Sequence, residues 1–236
     1  MMPAALALYV QTGLIPSNDP TPPRDPVRGE PIVPAAELAA LADADSISDA
    51  RLVVLPVRSL RGLVAYVTCP AVLRHLAEET LAPLDDHPVA ANTAIVAPAC
   101  PCRIDGRLVV EEFGLETEAS ETWPTTATWI AERFLPPDDV SSTARQRLAQ
   151  RLALVDDALF AHLASDGLPR QRRRRPGAMS SRPLLPPESL LYALLRTDDA
   201  AAAWHGRPPA PVWLGHGRSV GTGLVTVRPL EMGVSP

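Results

Sequence analysis

Residues 213–230 read "WLGHGRSVGTGLVTVRPL", where glycines at positions 215, 217, 221 and 223 precede an apolar run typical of a strand. Glycine-rich loops often cradle phosphates, and in nucleotide-binding folds they join a first strand to a helix near the start of the domain. Here the loop precedes a C-terminal strand, no helix pattern follows, and no Gly-Lys-Ser/Thr occurs as in a Walker loop. The pattern argues against a nucleotide site. It leaves open tight-turn geometry alone or a loop that lets another backbone, such as RNA, come close.

Strand and helix patterns mix along the chain without strict alternation. Apolar runs predict strands at 50–57, 62–68, 93–97, 107–116, 189–197 and 223–230. Helices are predicted at 34–44, from Pro70 onward, at 124–135 and 141–151, and after a cap at Asp156 or Asp157. The Asp-Gly pair at 105–106 is typical of a hairpin turn. This order favours an α+β sheet domain with helices on one face over a doubly wound fold.

The charge is distributed unevenly. The 236 residues carry a formal net charge of −5, yet all 22 basic residues are arginine, and five of them lie in "RQRRRR" at 170–175. A locally basic surface can coexist with an acidic whole. The surrounding segment, 170–185, is predicted to be a long polar connection. No apolar run is long enough to span a membrane and the start lacks the features of a signal peptide, so we expect a cytoplasmic protein without a membrane partner.

The cysteines and histidines do not indicate a metal centre. The three cysteines are Cys69, Cys100 and Cys102, an odd number that argues against a disulfide scaffold. No second ligand pair stands at zinc-finger spacing from "CPC" at 100–102, so buried or loop thiols are expected and no metal ligand is assigned. Of the five histidines, His216 lies inside the glycine loop, where an RNA-contacting or acid–base role is a hypothesis.

Four segments together resemble one family. "DARLVVLPVRSLRGLVAYVTCPAVL" at 49–73 is similar to the most distinctive block of the backbone subunit of type III-B CRISPR effector complexes, the Cmr complexes. "GRLVVEEFGLE" at 106–116 and "LPPESLLYALL" at 185–195 fit the same family in order. "GHGRSVGTGLV" is similar to the C-terminal glycine signature of the RAMP (repeat-associated mysterious protein) superfamily. The resemblance covers most of the chain from about residue 26 onward.

The resemblance implies a modified ferredoxin-like, RRM-type core with helical and loop insertions. It predicts a single RAMP-type domain over 1–236, with an irregular loop at 11–34 and a basic inserted segment at about 166–186. It also implies a subunit that binds guide CRISPR RNA, polymerises with copies of itself along that RNA beside other effector-complex subunits, and cleaves target RNA at regular intervals. In the family this cleavage needs a divalent metal, Mg²⁺ or Mn²⁺, and an aspartate of the N-terminal loop.

The residues expected to contact RNA follow from this resemblance and from their chemistry, because guanidinium groups and closely approaching backbone amides bind phosphate. Arg58 and Arg61 lie in a turn between two predicted strands, where they either contact RNA or pair with carboxylates on the surface. The basic run either contacts RNA or is a solvated loop. The complete predicted set is Arg28, Arg58, Ser59, Arg61, Arg172, Arg173, Arg174, Gly217, Arg218, Gly221 and Gly223.

The N-terminal part departs from the family pattern, because the usual glycine-rich opening is missing and the chain is shortened there. The nearest counterpart of the family's catalytic segment is "RDPVRGEPIVP", which makes Asp25 the candidate catalytic residue and Asp19 the reserve. A carboxylate placed there could take the proton of an RNA 2′-hydroxyl that attacks its own phosphate. Arg-Asp-Pro and Asn-Asp-Pro also form ordinary turns, so a structural role for both aspartates stays open.

Three functions from different classes compete. The first is an RNA-guided backbone subunit that also acts as a metal-dependent endoribonuclease. The second is a non-catalytic RNA-binding scaffold of the same kind of complex, which the altered N-terminal loop keeps open. The third is an unrelated α+β metabolic enzyme that uses the glycine loop for a phosphorylated ligand. Only the first two predict RNA binding that weakens as salt rises.

Overall fold

The computed structural model describes residues 4–15, 33–175, 178–216 and 218–230. Over these residues it contains strands at Ala4–Val10 (β1), Arg51–Ser59 (β2), Leu63–Thr68 (β3), Thr93–Val96 (β4), Arg103–Ile104 (β5), Arg107–Val110 (β6), Phe113–Ala119 (β7), Leu152–Val155 (β8), Arg170–Arg175 (β9), Ala178–Pro183 (β10), Leu190–Leu195 (β11), Ala210–Trp213 (β12) and Leu224–Leu230 (β13). The α-helices are Pro70–Thr80 (α1), Trp123–Phe134 (α2), Ser142–Arg151 (α3), Asp157–Ser165 (α4) and Asp198–Trp204 (α5), and 3₁₀ turns occur at Ala35–Leu38, Ala44–Ser46 and Arg218–Val220.

Eleven of the described strands form one mixed sheet in the order β12-β13-β1-β11-β2-β3-β8-β4-β7-β6-β5. A further pairing of Ser59 with Val110 joins β6 back to β2. The strands β2, β3, β8, β4, β7 and β6 therefore close into a ring of six. Ring closure depends on this pairing of residues 51 positions apart, which no local sequence pattern specifies.

The interior of the sheet is built from strands without alternating polar residues. Residues 5–8 of β1 and 52–55 of β2 are all buried, as expected for strands covered on both faces. Strand β1 lies between β11 and β13, and α2 contacts β1, β4 and β13. Trp123 at the start of α2 is fully buried, and its indole Nε1 donates to the Leu152 carbonyl at 2.8 Å. This hydrogen bond joins α2 to the first residue of β8, one of the six strands of the ring.

Several local predictions are confirmed. Pro70 occupies the first turn of α1, and the Asp156 side chain caps α4 by accepting from the Leu159 N–H at 3.0 Å. Asp105 and Gly106 have φ of 50° and 77° between the paired strands β5 and β6, as a tight hairpin turn requires. The mixed α+β class is likewise confirmed. These features depend on residues close together in the chain, which is why sequence alone predicts them.

Three predicted elements are wrong. The polar connection at 170–185 is an antiparallel hairpin of β9 and β10 over its described residues, a structure for which the chain offers no apolar alternation. The predicted helix at 34–44 is a 3₁₀ turn at Ala35–Leu38 followed by a second one, because only Leu38 and Leu41 of this segment contribute deeply buried side chains. The predicted strand 107–116 is two strands, β6 and β7, with Glu111 at φ 48° in the turn between them.

Candidate nucleic-acid interface

Arg58 was expected in a turn but lies near the end of β2, paired with Val64 of β3, and 86% of its side chain is exposed to solvent. Glu111, from the β6–β7 turn, accepts from the backbone N–H of Arg58 at 2.9 Å and from its Nε at 2.7 Å, and the carboxylate also pairs with Nη2. Of the two predicted roles of Arg58, contact with RNA or pairing with a surface carboxylate, the structure shows the pairing. Since Glu111 takes only one edge of the guanidinium, the Nη1 edge stays directed away from the pair and able to donate to a phosphate.

The turn between β2 and β3 is held by backbone contacts. Arg61 is exposed, and its Nη1 donates to the Arg103 carbonyl at 2.7 Å. Gly62 adopts φ 83°, and its carbonyl accepts from Arg151 Nη1 at 2.8 Å. Ser59 is 8% exposed and lies beneath the turn, where only a rearrangement would bring its hydroxyl to RNA. Arg58 and Arg61 thus lie on a braced backbone at this end of the β2–β3 pair.

Two exposed leucines flank these arginines, and sequence reasoning gave them no role. Leu60 is 71% exposed and Leu63 is 82% exposed, so both apolar side chains stand in solvent beside Arg61. Leu63 also has φ 70°, a left-handed conformation that is uncommon for a branched side chain. The leucines beside the arginines in "RSLRGL" at 58–63 could have indicated that this region presents apolar as well as cationic groups.

A cavity of about 570 Å³ opens beside Arg58. Its walls are mostly aliphatic side chains and prolines, from β2, β3, the end of α4 and the chain entering β9 and β11: Leu55, Pro56, Val57, Arg58, Val64, Glu111, Leu163, Gly167, Leu168, Pro169, Pro186, Pro187 and Glu188. Both glutamates of this wall have positive φ, 48° for Glu111 and 74° for Glu188. Such strained backbone tends to collect at functional sites. Pro169 places the start of the arginine hairpin at the same cavity.

The second glutamate is the centre of a polar cluster. The Tyr66 hydroxyl donates to Glu188 Oε2 at 2.5 Å, and Arg147 pairs with Glu188 while its Nε donates to the Tyr66 hydroxyl at 3.1 Å. Burial and the hydrogen bond to Glu188 raise the pKa of Tyr66, so the phenol stays protonated and keeps donating. The cluster holds the "PPE" segment against β3.

We expect Tyr66→Phe to lower the free energy of unfolding by about 1–2 kcal/mol, because a hydrogen bond to a charged carboxylate is lost in a largely buried site. Urea denaturation of the variant and the parent protein measures this difference. Glu188→Gln in the Tyr66→Phe background should then cost less than Glu188→Gln alone, since the shared contact is already gone. Fully additive costs would show that the two side chains do not interact.

The arginine hairpin is described through its backbone. Arg172, Arg173 and Arg174 lie in β9, opposite Ser181, Ser180 and Met179 of β10. A paired strand holds consecutive residues in a fixed register, which a solvated loop does not. The predicted cationic segment is therefore one strand of a two-stranded ribbon, and Pro169, directly before β9, lines the cavity beside Arg58.

The glycine loop packs closely against the protein's own backbone. Gly223 has φ 97°, and a Cβ there would lie 2.3 Å from the Leu214 carbonyl oxygen; at Gly215, with φ 63°, it would lie 2.4 Å from that of Ile15. Gly221 has φ 79° and open space around the Cβ position. Tight internal packing thus accounts for the glycines at 215 and 223, and Gly221 alone of these three leaves room for an approaching ligand. Gly217 lies outside the described residues.

The side chains of this loop have defined partners. The Arg218 guanidinium lies 5.2 Å from the centroid of the Trp213 ring, and Arg218 is exposed. His216 Nε2 lies 2.7 Å from Glu37 Oε1, which links the loop to the 3₁₀ turn at Ala35–Leu38. His216 is therefore occupied by a protein carboxylate, while Arg218 keeps its charge at the surface.

The candidate catalytic residues Asp25 and Asp19, together with Arg28, lie outside the described residues. The described chain does define where their segment attaches. Ile15 bridges to His216 on one side, and Val33 bridges to Ala50, directly before β2, on the other. The segment therefore begins beside the glycine loop and ends beside the strand that leads to Arg58.

The described residues contain neither a cluster of metal-binding side chains nor a helix able to span a membrane. Across the ranges given above, no three His, Cys, Asp or Glu side chains come together as metal ligands would. Within the same part of the chain, no helix is long and apolar enough to cross a membrane. The three cysteines are buried and unbridged.

This chain is similar to a curated protein in sequence and to solved structures in fold. No protein-family model matches this chain. The CRISPR system Cmr endoribonuclease Cmr4 of Pyrococcus furiosus is 28% identical over 142 residues, which are 57% of this chain and 44% of that protein. The sequence match thus spans less than half the length of the curated relative.

The fold matches over nearly the whole chain. The crystal structure of oligomeric Cmr4 from Pyrococcus furiosus has a TM-score of 0.76 at 22% identity, covering 99% of this chain and 100% of that one. The cryo-EM structure of the type III-B Cmr-beta bound to cognate target RNA has a TM-score of 0.65 at 15% identity, with 98% of each chain covered. The aligned sequence and the shared fold confirm the resemblance: this chain is similar to Cmr4 over part of its sequence and over nearly all of its fold.

Proposed function

We propose that this chain is a backbone subunit of an RNA-guided type III-B effector complex, with a ferredoxin-like core. It binds guide RNA, assembles with copies of itself along that RNA and with other effector subunits, and cleaves target RNA. The observation that carries the proposal is the match to Cmr4 in both sequence and fold. The matched structures support the self-assembly and the target RNA, since one is of oligomeric Cmr4 and another is of a Cmr complex bound to target RNA.

The cationic groups of this surface suit RNA binding that does not depend on base sequence. Arg58 and Arg61 offer cationic groups at one end of the β2–β3 pair, and the arginine-rich strand β9 begins directly after Pro169 of the cavity beside Arg58. Contacts to phosphate position a nucleic acid without reading its bases. A subunit that must accept any guide needs such contacts, and the polar side chains beside Arg58 are already paired with one another. The acidic net charge of −5 is compatible because these groups are concentrated in one region.

Cleavage is assigned to Asp25. An RNA 2′-hydroxyl attacks its own phosphate once the nucleotide is held with the two in line, and a carboxylate accepts the proton. A divalent ion, Mg²⁺ or Mn²⁺, would stabilise the developing negative charge on the phosphate oxygens. Glu37 and His216, the titratable pair beside the attachment of the Asp25 segment, are occupied by each other. None of the described residues is therefore proposed as a ligand of the ion, and the proton transfer is assigned to Asp25.

Co-expression with a repeat-derived guide RNA tests the proposal. The purified complex is treated with ribonuclease, and the protected RNA is sized. Protected lengths that grow by a constant step are expected, because each added copy covers an equal stretch of guide. Protection of a single short length, or of none when the partner subunits are also present, would refute assembly along RNA.

Arg58→Ala is expected to weaken guide RNA binding roughly uniformly across guide sequences. Losing one phosphate contact should also reduce the slope of log affinity against log salt by about 0.7, the value for one phosphate of a single strand. Filter binding or fluorescence anisotropy at several salt concentrations measures both effects.

Arg74→Ala is the matched control for this experiment. Arg74 is also an exposed arginine with a carboxylate partner, Asp86 at 3.4 Å, but it lies on α1 instead of the end of β2. The Arg74→Ala variant should keep the parental affinity and salt slope. Equal losses in the two variants would show that net charge, and not the position of Arg58, controls binding.

A further inference from the structure

Cys100 and Cys102 form a pair of neighbouring thiols that the proposed RNA chemistry does not use. Their exposed fractions are 6% and 0%, and only Pro101 separates them. The Arg103 N–H donates to the Cys100 carbonyl at 3.3 Å, so residues 100–103 form a hydrogen-bonded turn. A β-turn brings its first and fourth Cα atoms within about 7 Å, which keeps the first and third close enough for a disulfide, whose Cα atoms lie about 4.4–6.8 Å apart.

The two sulfurs differ in their electrostatic environment. The hydrogen bond with Cys102 and the nearby Arg103 lower the pKa of the Cys100 thiol to about 7 in spite of its burial. The same hydrogen bond and burial raise the pKa of Cys102. Near neutral pH the pair thus combines a thiolate with a protonated thiol beside it, the arrangement of an attacking and a resolving cysteine.

The Cys102 sulfur also supports the turn that follows Arg58 and carries Arg61. Its Sγ lies 3.5 Å from the Val64 carbonyl oxygen, and a Cβ placed on Gly62 would lie 3.3 Å from the sulfur. Arg61 in turn donates to the carbonyl of Arg103, the residue after Cys102. The "CPC" turn and the β2–β3 turn are therefore joined by direct contacts.

We propose that Cys100 and Cys102 are a site of reversible disulfide formation that loosens the β2–β3 turn. The oxidant is a small-molecule disulfide such as glutathione disulfide. The Cys100 thiolate attacks one of its sulfurs and a glutathione thiolate leaves. Cys102 then loses its proton and attacks the Cys100 sulfur, and the second glutathione thiolate leaves. The protein loses two electrons and two protons, and the small disulfide becomes two thiols.

The structural consequence follows from the new bond between the two sulfurs. In the oxidised form the Cys102 sulfur is drawn towards Cys100 and away from Val64 and Gly62. The β2–β3 turn then keeps its contact with Arg151 but loses its contact with the sulfur. Reduction by excess thiol restores the original contacts.

A two-cysteine protein makes the test direct. Cys69→Ser provides it, because Cys69 is the N-cap of α1 with φ −140° and ψ 162°, a position where serine is favoured. The variant is equilibrated with glutathione disulfide and then alkylated, and its intact mass is measured. We expect a species lighter by two hydrogen atoms that no longer alkylates.

A second variant tests the order of the steps. Cys102→Ser in the same background should stop at a glutathione adduct on Cys100, because the resolving thiol is missing. Two alkylatable thiols after oxidation of the two-cysteine protein would overturn the proposal. A stable glutathione adduct in that protein would overturn it as well.

Hydrogen exchange then tests the link to the turn and needs no RNA. Amides of residues 60–65 should exchange at least several-fold faster in the oxidised than in the reduced two-cysteine protein, whereas amides of β1 should exchange equally. Equal exchange at 60–65 in the two redox forms would show that the disulfide does not loosen the turn.

Discussion

We expect Asp25→Asn to lower the rate of target-RNA cleavage by at least about 100-fold while guide binding stays at the parental level. A positioned general base contributes about 10²- to 10⁴-fold to such a reaction, and an amide cannot accept the proton. Asparagine keeps the size of the side chain, so loss of shape does not explain the effect. Single-turnover cleavage of a labelled target by the guide-loaded complex, in excess Mg²⁺, measures the rate.

Asp19→Asn is the control for this result, because Asp19 lies in the same proline-rich segment and precedes a proline as Asp25 does. It should cleave at the parental rate. The reverse outcome, loss in Asp19→Asn alone, would move the catalytic role to the reserve residue. Parental cleavage by both variants would show that neither aspartate carries the catalytic role.

We expect Gly223→Ala to lower the free energy of unfolding by about 3 kcal/mol or more, because the new methyl group collides with a carbonyl and the backbone must hold a left-handed φ. The collision is with the Leu214 oxygen at 2.3 Å. Relief would break the Leu214 N–H to Gly223 carbonyl hydrogen bond of 2.8 Å, which starts the β12–β13 pairing. Urea unfolding measures the loss.

Gly221→Ala separates backbone strain from collision. Gly221 also has a positive φ, 79°, but nothing lies within 4 Å of the Cβ position. Its substitution should therefore cost only the left-handed strain, about 1–2 kcal/mol. Equal costs for the two variants would mean that the close approach at Gly223 does not contribute to stability.

The elements predicted well are those whose signals are local. Continuous apolar runs located β2, β3 and β13 within about two residues, and Pro70 and Asp156 marked the starts of α1 and α4. These signals work because backbone preferences and capping involve residues a few positions apart. The β9–β10 ribbon was not predicted because its strands contain no continuous apolar run, and their pairing is visible only in the structure.

The candidate site was predicted only in its residue types. A turn with Arg58 and Arg61 was expected, and either RNA or a carboxylate was allowed as partner. The structure shows Glu111, 53 residues away in the chain, as the partner of Arg58. It likewise shows that the glycines at 215 and 223 are required by carbonyls of the protein itself, a fact that depends on packing between distant segments.

Local patterns and motifs in a fixed order were enough to predict the α+β class, the positions of β2, β3, β4, β11 and β13 and of α1 to α4, and the resemblance to Cmr proteins. Only the tertiary structure decided the closure of six strands into a ring, the cavity between Arg58 and Glu188, and the contact of Cys102 with the β2–β3 turn. Each of these joins residues far apart in the chain. Such contacts form because the whole core packs around them, and no short stretch of sequence encodes that packing.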